Sequence, residues 1–298
     1  MAKSSGYLDP ATLSRIGSLE LRVRQVVEGY LSGLHRSPYH GVSVEFAEHR
    51  PYSAGDETKH VDWKLWARSD RFYLKLYEAE TNVRAYLLMD GSQSMAYASG
   101  PMSKFDYGAT LAASLAYLLL RQQDAVGLTL FDTAVCAEVP PAANPAQLRT
   151  VCDLLGARTP QGETDLGPLL HAIAGRLRKR GLAILVSDLL GPLDDLLSAL
   201  QRFRYDGHAL IVVHVMDRDE AQFPFDGNVR FHPMEGGEPV TTDARQVRRT
   251  YLEAHGRFVG AVRDACAGLQ ADYLLARTDR PLDTTLARFL VSRNGQRG

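Results

Sequence analysis

An aspartate followed at two-residue steps by two serines, Asp90-Gly91-Ser92-Gln93-Ser94, puts three oxygen-bearing side chains on one short stretch of chain. A loop with similar groups, Gly162-Glu163-Thr164-Asp165, and the pair Ser187-Asp188 lie farther along. Hard oxygen donors of this kind suit Mg²⁺ or Mn²⁺, whereas zinc and copper favour nitrogen and sulfur. Asp90, Ser92, Ser94, Thr164 and Asp188 are therefore the candidate metal ligands, with Mg²⁺ or Mn²⁺ as the expected ion. Ser92, Ser94 and Thr164 would contact it directly, and Asp90 and Asp188 would hold it partly through water. Neutral hydroxyls leave such an ion with net positive charge, so a Glu or Asp of a protein partner would complete its shell. For the first segment alone a plainer reading stands beside this one, because Asp-Gly-Ser is also a good turn and helix cap.

Catalytic constellations are poorly represented. The chain has no G-x-G-x-x-G dinucleotide fingerprint, no G-x-x-x-x-G-K-[ST] phosphate loop and no G-x-S-x-G nucleophile elbow. A phosphatase of the haloacid-dehalogenase type needs a second carboxylate two residues after its first aspartate, and that position here is Ser92. A non-enzymatic binding protein is the expectation, with a metal-dependent phosphohydrolase using Asp90 as the alternative.

Residues so far apart act together only if the fold brings them to one edge. Val83 to Met89 is a continuous apolar run, as a strand buried on both faces requires. From there helices and strands alternate. Strands are expected at Ala125–Phe131, Ala134–Val139 (ended by Pro140-Pro141), Leu182–Ser187, His208–Met216 and Asp272–Ala276, with a hairpin over Asn228–Val240. Helices are expected at Lys104–Gln123, Pro145–Leu155, Leu166–Lys179, Leu193–Arg204, Ala244–Leu269 and Leu282–Ser292. This alternation predicts an α/β fold with a doubly wound, mostly parallel sheet, which binds ligands at the carboxyl ends of its strands. Asp90, Thr164 and Asp188 all fall just after such strands or just before a helix.

Ahead of this domain (83–298), Leu13, Ile16, Leu19, Val23, Val26, Val27 and Tyr30 recur at helical spacing from Leu8 to about Leu34. They predict an amphipathic helical arm within 1–40. Residues 41–82 carry two alternating runs, Val42-x-Val44-x-Phe46 and Phe72-x-Leu74-x-Leu76, and both tryptophans, Trp63 and Trp66. With so few aliphatics they predict a small β elaboration and no core of its own. The mixture of Arg50, Asp56, Asp62, Trp63, Trp66 and Arg68 there fits an ion-paired structural buckle better than a partner-binding surface, though Trp and Arg are common in the latter.

The 298 residues carry a formal charge of −1, so nothing supports a general phosphate-binding coat, and no nucleic-acid partner is expected. Cys136, Cys152 and Cys266 are sparse, odd in number and without C-x-x-C spacing, which suits a reducing compartment. With no signal-like N-terminus and no spanning apolar run, a cytoplasmic protein without membrane insertion is expected.

The candidate ligands carry a resemblance as well. Asp90-x-Ser92-x-Ser94, Thr164 in its Gly-x-Thr-Asp loop and Ser187-Asp188 resemble the metal-ion-dependent adhesion site of von Willebrand factor A domains. Glu45-Phe46, Arg50-x-Tyr52, Gly55-Asp56, Val61-Asp62-Trp63-Lys64, Ala67-Arg68 and Lys75-x-Tyr77-x-x-Glu80 resemble the bacterial family called domain of unknown function 58. His214-Val215-x-Asp217, Glu220, Phe223-Pro224-Phe225, Glu235-x-Gly237 and Tyr251 extend the likeness, which covers about residues 35 to 293. The resemblance implies a sheet of von Willebrand factor A type and an adaptor role beside AAA+ ATPases of the MoxR type, in assembly or activation of protein complexes. Two departures stand out. Many members carry transmembrane helices where this chain has its amphipathic helix, and His60 stands where an arginine is common.

Overall fold

A computed structural model describes residues 10–15, 17–34, 49–51, 73–75, 83–234 and 236–295. The N-terminal periodicity is realised as two helices, α1 (Pro10–Leu13) and α2 (Leu19–Leu34), not one. Ser14 Oγ bonds back to the Ala11 carbonyl at 2.9 Å, and Gly17 carries the entropic cost of glycine in a helix, so the chain breaks there. Leu13, Leu19, Val23, Val26 and Val27 enter the same apolar core as the main sheet, so this helix packs within its own unit.

By contacts the chain divides into residues 34–82 and a unit formed by 1–33 with 83–298. Within the smaller unit, β1 (His49–Pro51) and β2 (Tyr73–Lys75) pair antiparallel, Arg50 opposite Leu74. The run Val42 to Phe46, the Gly55–Arg68 motif and both tryptophans lie outside the described residues.

In the larger unit the apolar runs become β3 (Arg84–Asp90), β4 (Ala125–Phe131), β5 (Val135–Ala142), β6 (Leu182–Ser187) and β7 (Ala209–Met216). A hairpin of β8 (Asn228–Phe231) with β9 (Val240–Asp243) precedes β10 (Asp272–Arg277). The six-stranded sheet has the order β10-β7-β6-β3-β4-β5, with every pair parallel except β4 and β5. This is the doubly wound, mostly parallel sheet expected, with the N-terminal helix in place. Strand β5 runs on through Pro140 and Pro141 where those prolines were expected to end it. It is the edge strand, and an edge tolerates residues that cannot donate to a ladder.

Helices cover both faces: α3 (Lys104–Arg121), α4 (Gln147–Gly156), α5 (Leu166–Arg176), α6 (Leu193–Tyr205), the short α7 (Arg218–Gln222), α8 (Ala244–Gly268) and α9 (Leu282–Gly295). Strand periodicity of two sorts the core into layers. Ala85, Leu87 and Met89 of β3 face a cluster with residues of α2, α3, α4 and α9, whereas Tyr86 and Leu88 face α5, α6 and α8. Helix α7 is unanticipated, yet Asp217 and Glu220 form a capping box at its start. Among the described residues no helix is long and apolar enough to cross a membrane.

Helix α3 lies close over the sheet at Gly108, where a Cβ would come within 3.0 Å of Val186 Cγ1 and 3.3 Å of Val215 Cγ2. Gly108→Val should therefore cost roughly 1–3 kcal/mol in urea unfolding, by overpacking. At Gly260 in α8 nothing lies within 4 Å of an added Cβ, and Gly260→Ala should raise stability by about 0.5–1 kcal/mol in the same assay.

Candidate metal centre

The order of the sheet reverses between β3 and β6, whose connections leave in opposite directions, and the crevice at their carboxyl ends is where such folds bind ligands. Asp90 ends β3, and Asp188 follows β6 directly. Both are nearly fully buried, at 2% and 4% exposure. The Ser92 N–H donates to Asp90 Oδ1 at 2.9 Å, so the turn expected from Asp-Gly-Ser is real. The cap is not: Ser92 precedes a 3-10 turn over Gln93–Ala96, and its hydroxyl makes no capping bond. Instead Ser92 Oγ lies 3.0 Å from Ser94 Oγ, with both residues buried.

Backbone bonds bring the second loop alongside the first. Gln93 N–H donates to the Gly162 carbonyl and Gln161 N–H to the Gly91 carbonyl, both at 2.9 Å. Gly162 takes φ +79°, a conformation that glycine adopts without steric cost, and Thr164 follows half-buried. The Thr164 hydroxyl donates to the Asp132 carbonyl at 3.1 Å. That bond uses its proton and leaves oxygen lone pairs for a cation. The residues thus fit a hard divalent ion in donor chemistry: hydroxyl oxygens at Ser92, Ser94 and Thr164, and carboxylates at Asp90 and Asp188. Asp90, Ser92 and Ser94 are linked by direct hydrogen bonds. Thr164 joins through the loop pairing, and Asp188 through the neighbouring strand. Among the described residues no group of three or more His, Cys, Asp or Glu side chains is arranged to hold a metal.

Five further side chains, none of them among the candidate ligands, surround these residues: Ser187, Lys104, Glu220, Arg158 and Asp132. Ser187 Oγ donates to Asp90 Oδ2 at 2.5 Å and accepts from the Leu189 N–H at 2.9 Å. Lys104, at the start of α3 and 1% exposed, sends its ammonium to Asp188 Oδ2 at 2.8 Å and to Glu220 Oε1 at 2.6 Å. Beneath Thr164, Arg158 pairs with the Asp132 carboxylate. A lysine opening a helix looks solvated in sequence, and only its following apolar run, Tyr107 to Leu120, hinted at deep burial.

Electrostatics reflect this crowding. Burial pushes the Asp90 carboxyl up to about 6, and the Asp188 charge adds to the rise against the bonds from Ser187 and Ser92. Burial works to lower the Lys104 ammonium, but Asp188 and Glu220 outweigh it and the net shift is upward. His214, paired through Nδ1 with the Tyr273 hydroxyl at 2.8 Å, is driven by burial down to about 4 and stays neutral at ordinary pH.

A family model described as protein of unknown function DUF58 matches residues 48–257. An uncharacterized protein of Mycobacterium tuberculosis is 26% identical over 294 residues, covering 96% of this chain and 90% of its own length. Among solved structures, an aerotolerance-related membrane protein of Bacteroides fragilis is similar at 15% identity and a TM-score of 0.47, over 72% of this chain and 99% of that one. The VWA domain of SpRpn10 is similar at 12% identity and a TM-score of 0.39, over 70% and 94%.

Because the folded-state value of Asp90 is raised above that of the unfolded chain, the metal-free fold binds this proton more tightly than the unfolded chain does. Its stability should rise as pH falls from above 6 towards 4. Melting curves of metal-free wild type and Asp90→Asn should show that gain in the wild type and its loss in the variant.

Proposed function

The chain belongs to the DUF58 family, and from that premise we propose that it is a non-enzymatic, metal-dependent protein-binding adaptor. The observation that carries this reading is the placement of the Ser92 and Ser94 hydroxyls, 3.0 Å apart, beside two buried carboxylates at the sheet's ligand-binding edge. Ser92, Ser94 and Thr164 would hold Mg²⁺ or Mn²⁺ directly, and Asp90 and Asp188 would hold it partly through water. When bound, the ion supplies a positive centre for a carboxylate from outside the chain. Ser187 and the Ser92 N–H orient Asp90 for this, and the Asp132 carbonyl orients Thr164.

The proposed partner is a protein that offers a Glu or Asp to the ion. A MoxR-type AAA+ ATPase is the favoured source, on family resemblance, with assembly or activation of protein complexes as the task. Catalysis is the weaker reading, since the position two residues after Asp90 holds Ser92, which cannot act as a carboxylate acid or base. A cytoplasmic setting is supported by free cysteines at 136, 152 and 266.

Titration calorimetry with Mn²⁺ should show one binding event in the wild type and none in Asp90→Ala. The wild-type affinity should weaken below about pH 6, as Asp90 takes up its proton. A purified MoxR-type ATPase should be retained in Mg²⁺ and released by EDTA or by Thr164→Ala. Equal Mn²⁺ binding by wild type and Asp90→Ala would overturn the metal site. Metal-dependent turnover of a phosphate ester without a partner would favour the phosphohydrolase instead.

A further inference from the structure

Lys104 is the unusual residue of this edge, because the proposed metal site already holds a cation. Its ammonium is buried and bonded to one candidate ligand, Asp188, and to one carboxylate outside the ligand set, Glu220. The other oxygen of Asp188 accepts the Leu190 N–H at 3.3 Å, so neither oxygen is idle. Glu220 is shared in the same way: Oε1 takes Lys104, while Oε2 accepts the Asp217 N–H at 2.8 Å and caps α7. Asp217 is itself fully buried and bonded by Ser99 N–H, Asp219 N–H and the Thr278 hydroxyl. The Tyr97 ring lies 6.0 Å from the ammonium, and the charge of Lys104 is also felt by His214 and Tyr251.

We infer that Lys104 is a positioning residue that competes with the divalent ion for Asp188 and is handed over to Glu220 when that ion binds. The inference rests on the metal-binding reading of Asp90 to Asp188. Two positive centres on one buried carboxylate repel each other strongly in a medium of low dielectric, so the ammonium must yield for the ion to gain full use of Asp188. Glu220, already 2.6 Å from the ammonium, receives it without any unpaired charge being left behind. Metal affinity is thereby set below what the oxygen ligands alone would give, and occupancy of the site is reported to the start of α7. From there the chain runs directly into Phe223, whose ring centroid lies 4.7–5.7 Å from those of Phe225, Phe231 and Tyr251.

The test is the sign of two changes in Mn²⁺ affinity, read by calorimetry on the full chain with melting curves in parallel. Lys104→Met should bind Mn²⁺ more tightly than wild type, by on the order of tenfold, and should melt lower without metal but recover with it. Glu220→Gln, which keeps the shape and a capping oxygen, should bind more weakly because Lys104 then rests on Asp188 alone. Asp219→Asn removes a neighbouring charge that pairs with Arg218 and should change affinity little. A merely structural lysine would weaken binding in both of the first two variants, and that result overturns the inference while leaving the metal site standing. So does an Asp219→Asn effect as large as that of Glu220→Gln. If neither wild type nor Lys104→Met binds Mn²⁺, the inference and the metal site fail together. Should Lys104→Met not fold, Glu220→Gln against Asp219→Asn decides alone: weaker binding only in the former supports the hand-over, and any other pattern rejects it.

Discussion

Two carboxylates kept out of water side by side, Asp90 and Asp188, are the constraint around which this protein is arranged. A buried carboxylate is costly unless it is hydrogen-bonded, paired or neutralised by a proton or metal. Hydrogen bonding and ion pairing are both present, and burial favours the proton. Ser187 and the Ser92 N–H bond Asp90, Lys104 pairs Asp188, and the carboxyl of Asp90 is left with a raised proton affinity. The proposed metal-dependent contact would draw on this balance, with a cation taking the place of the proton on Asp90.

The sheet order explains why the pair exists at all. Strands β3 and β6 are neighbours although Asp90 and Ser187 lie 97 positions apart in the chain, and their register sets Met89 opposite Val186. The next residues must then diverge at the same edge. Helix α3, held against the sheet through Gly108, brings Lys104 in from one side, and Glu220 on α7 meets it from another. Charge balance at the edge therefore ties together elements that are remote in sequence.

Much of this was legible from the residues. Fully buried parallel strands read as unbroken apolar runs, so β3, β4, β6 and β7 stand out, and Asp-x-Ser-x-Ser marks its own place after the first of them. What escaped had definite causes. Pro140 and Pro141 signal a strand end unless the strand is known to lie at an edge, and edge position is a property of the sheet as a whole. Helix α7 is too short to show periodicity, though the Asp217 to Glu220 spacing held its capping signal. Lys104 was invisible because its partners lie 84 and 116 residues away, and a single sequence does not reveal which distant acid a lysine will meet.

Anomalous diffraction from a crystal of the full chain soaked in Mn²⁺ reads the central claim directly. One strong peak is expected, bounded by Ser92, Ser94 and Thr164 and within a water's reach of Asp90 and Asp188. An edge without such a peak, with Lys104 still bridging Asp188 and Glu220 at saturating Mn²⁺, would contradict that claim.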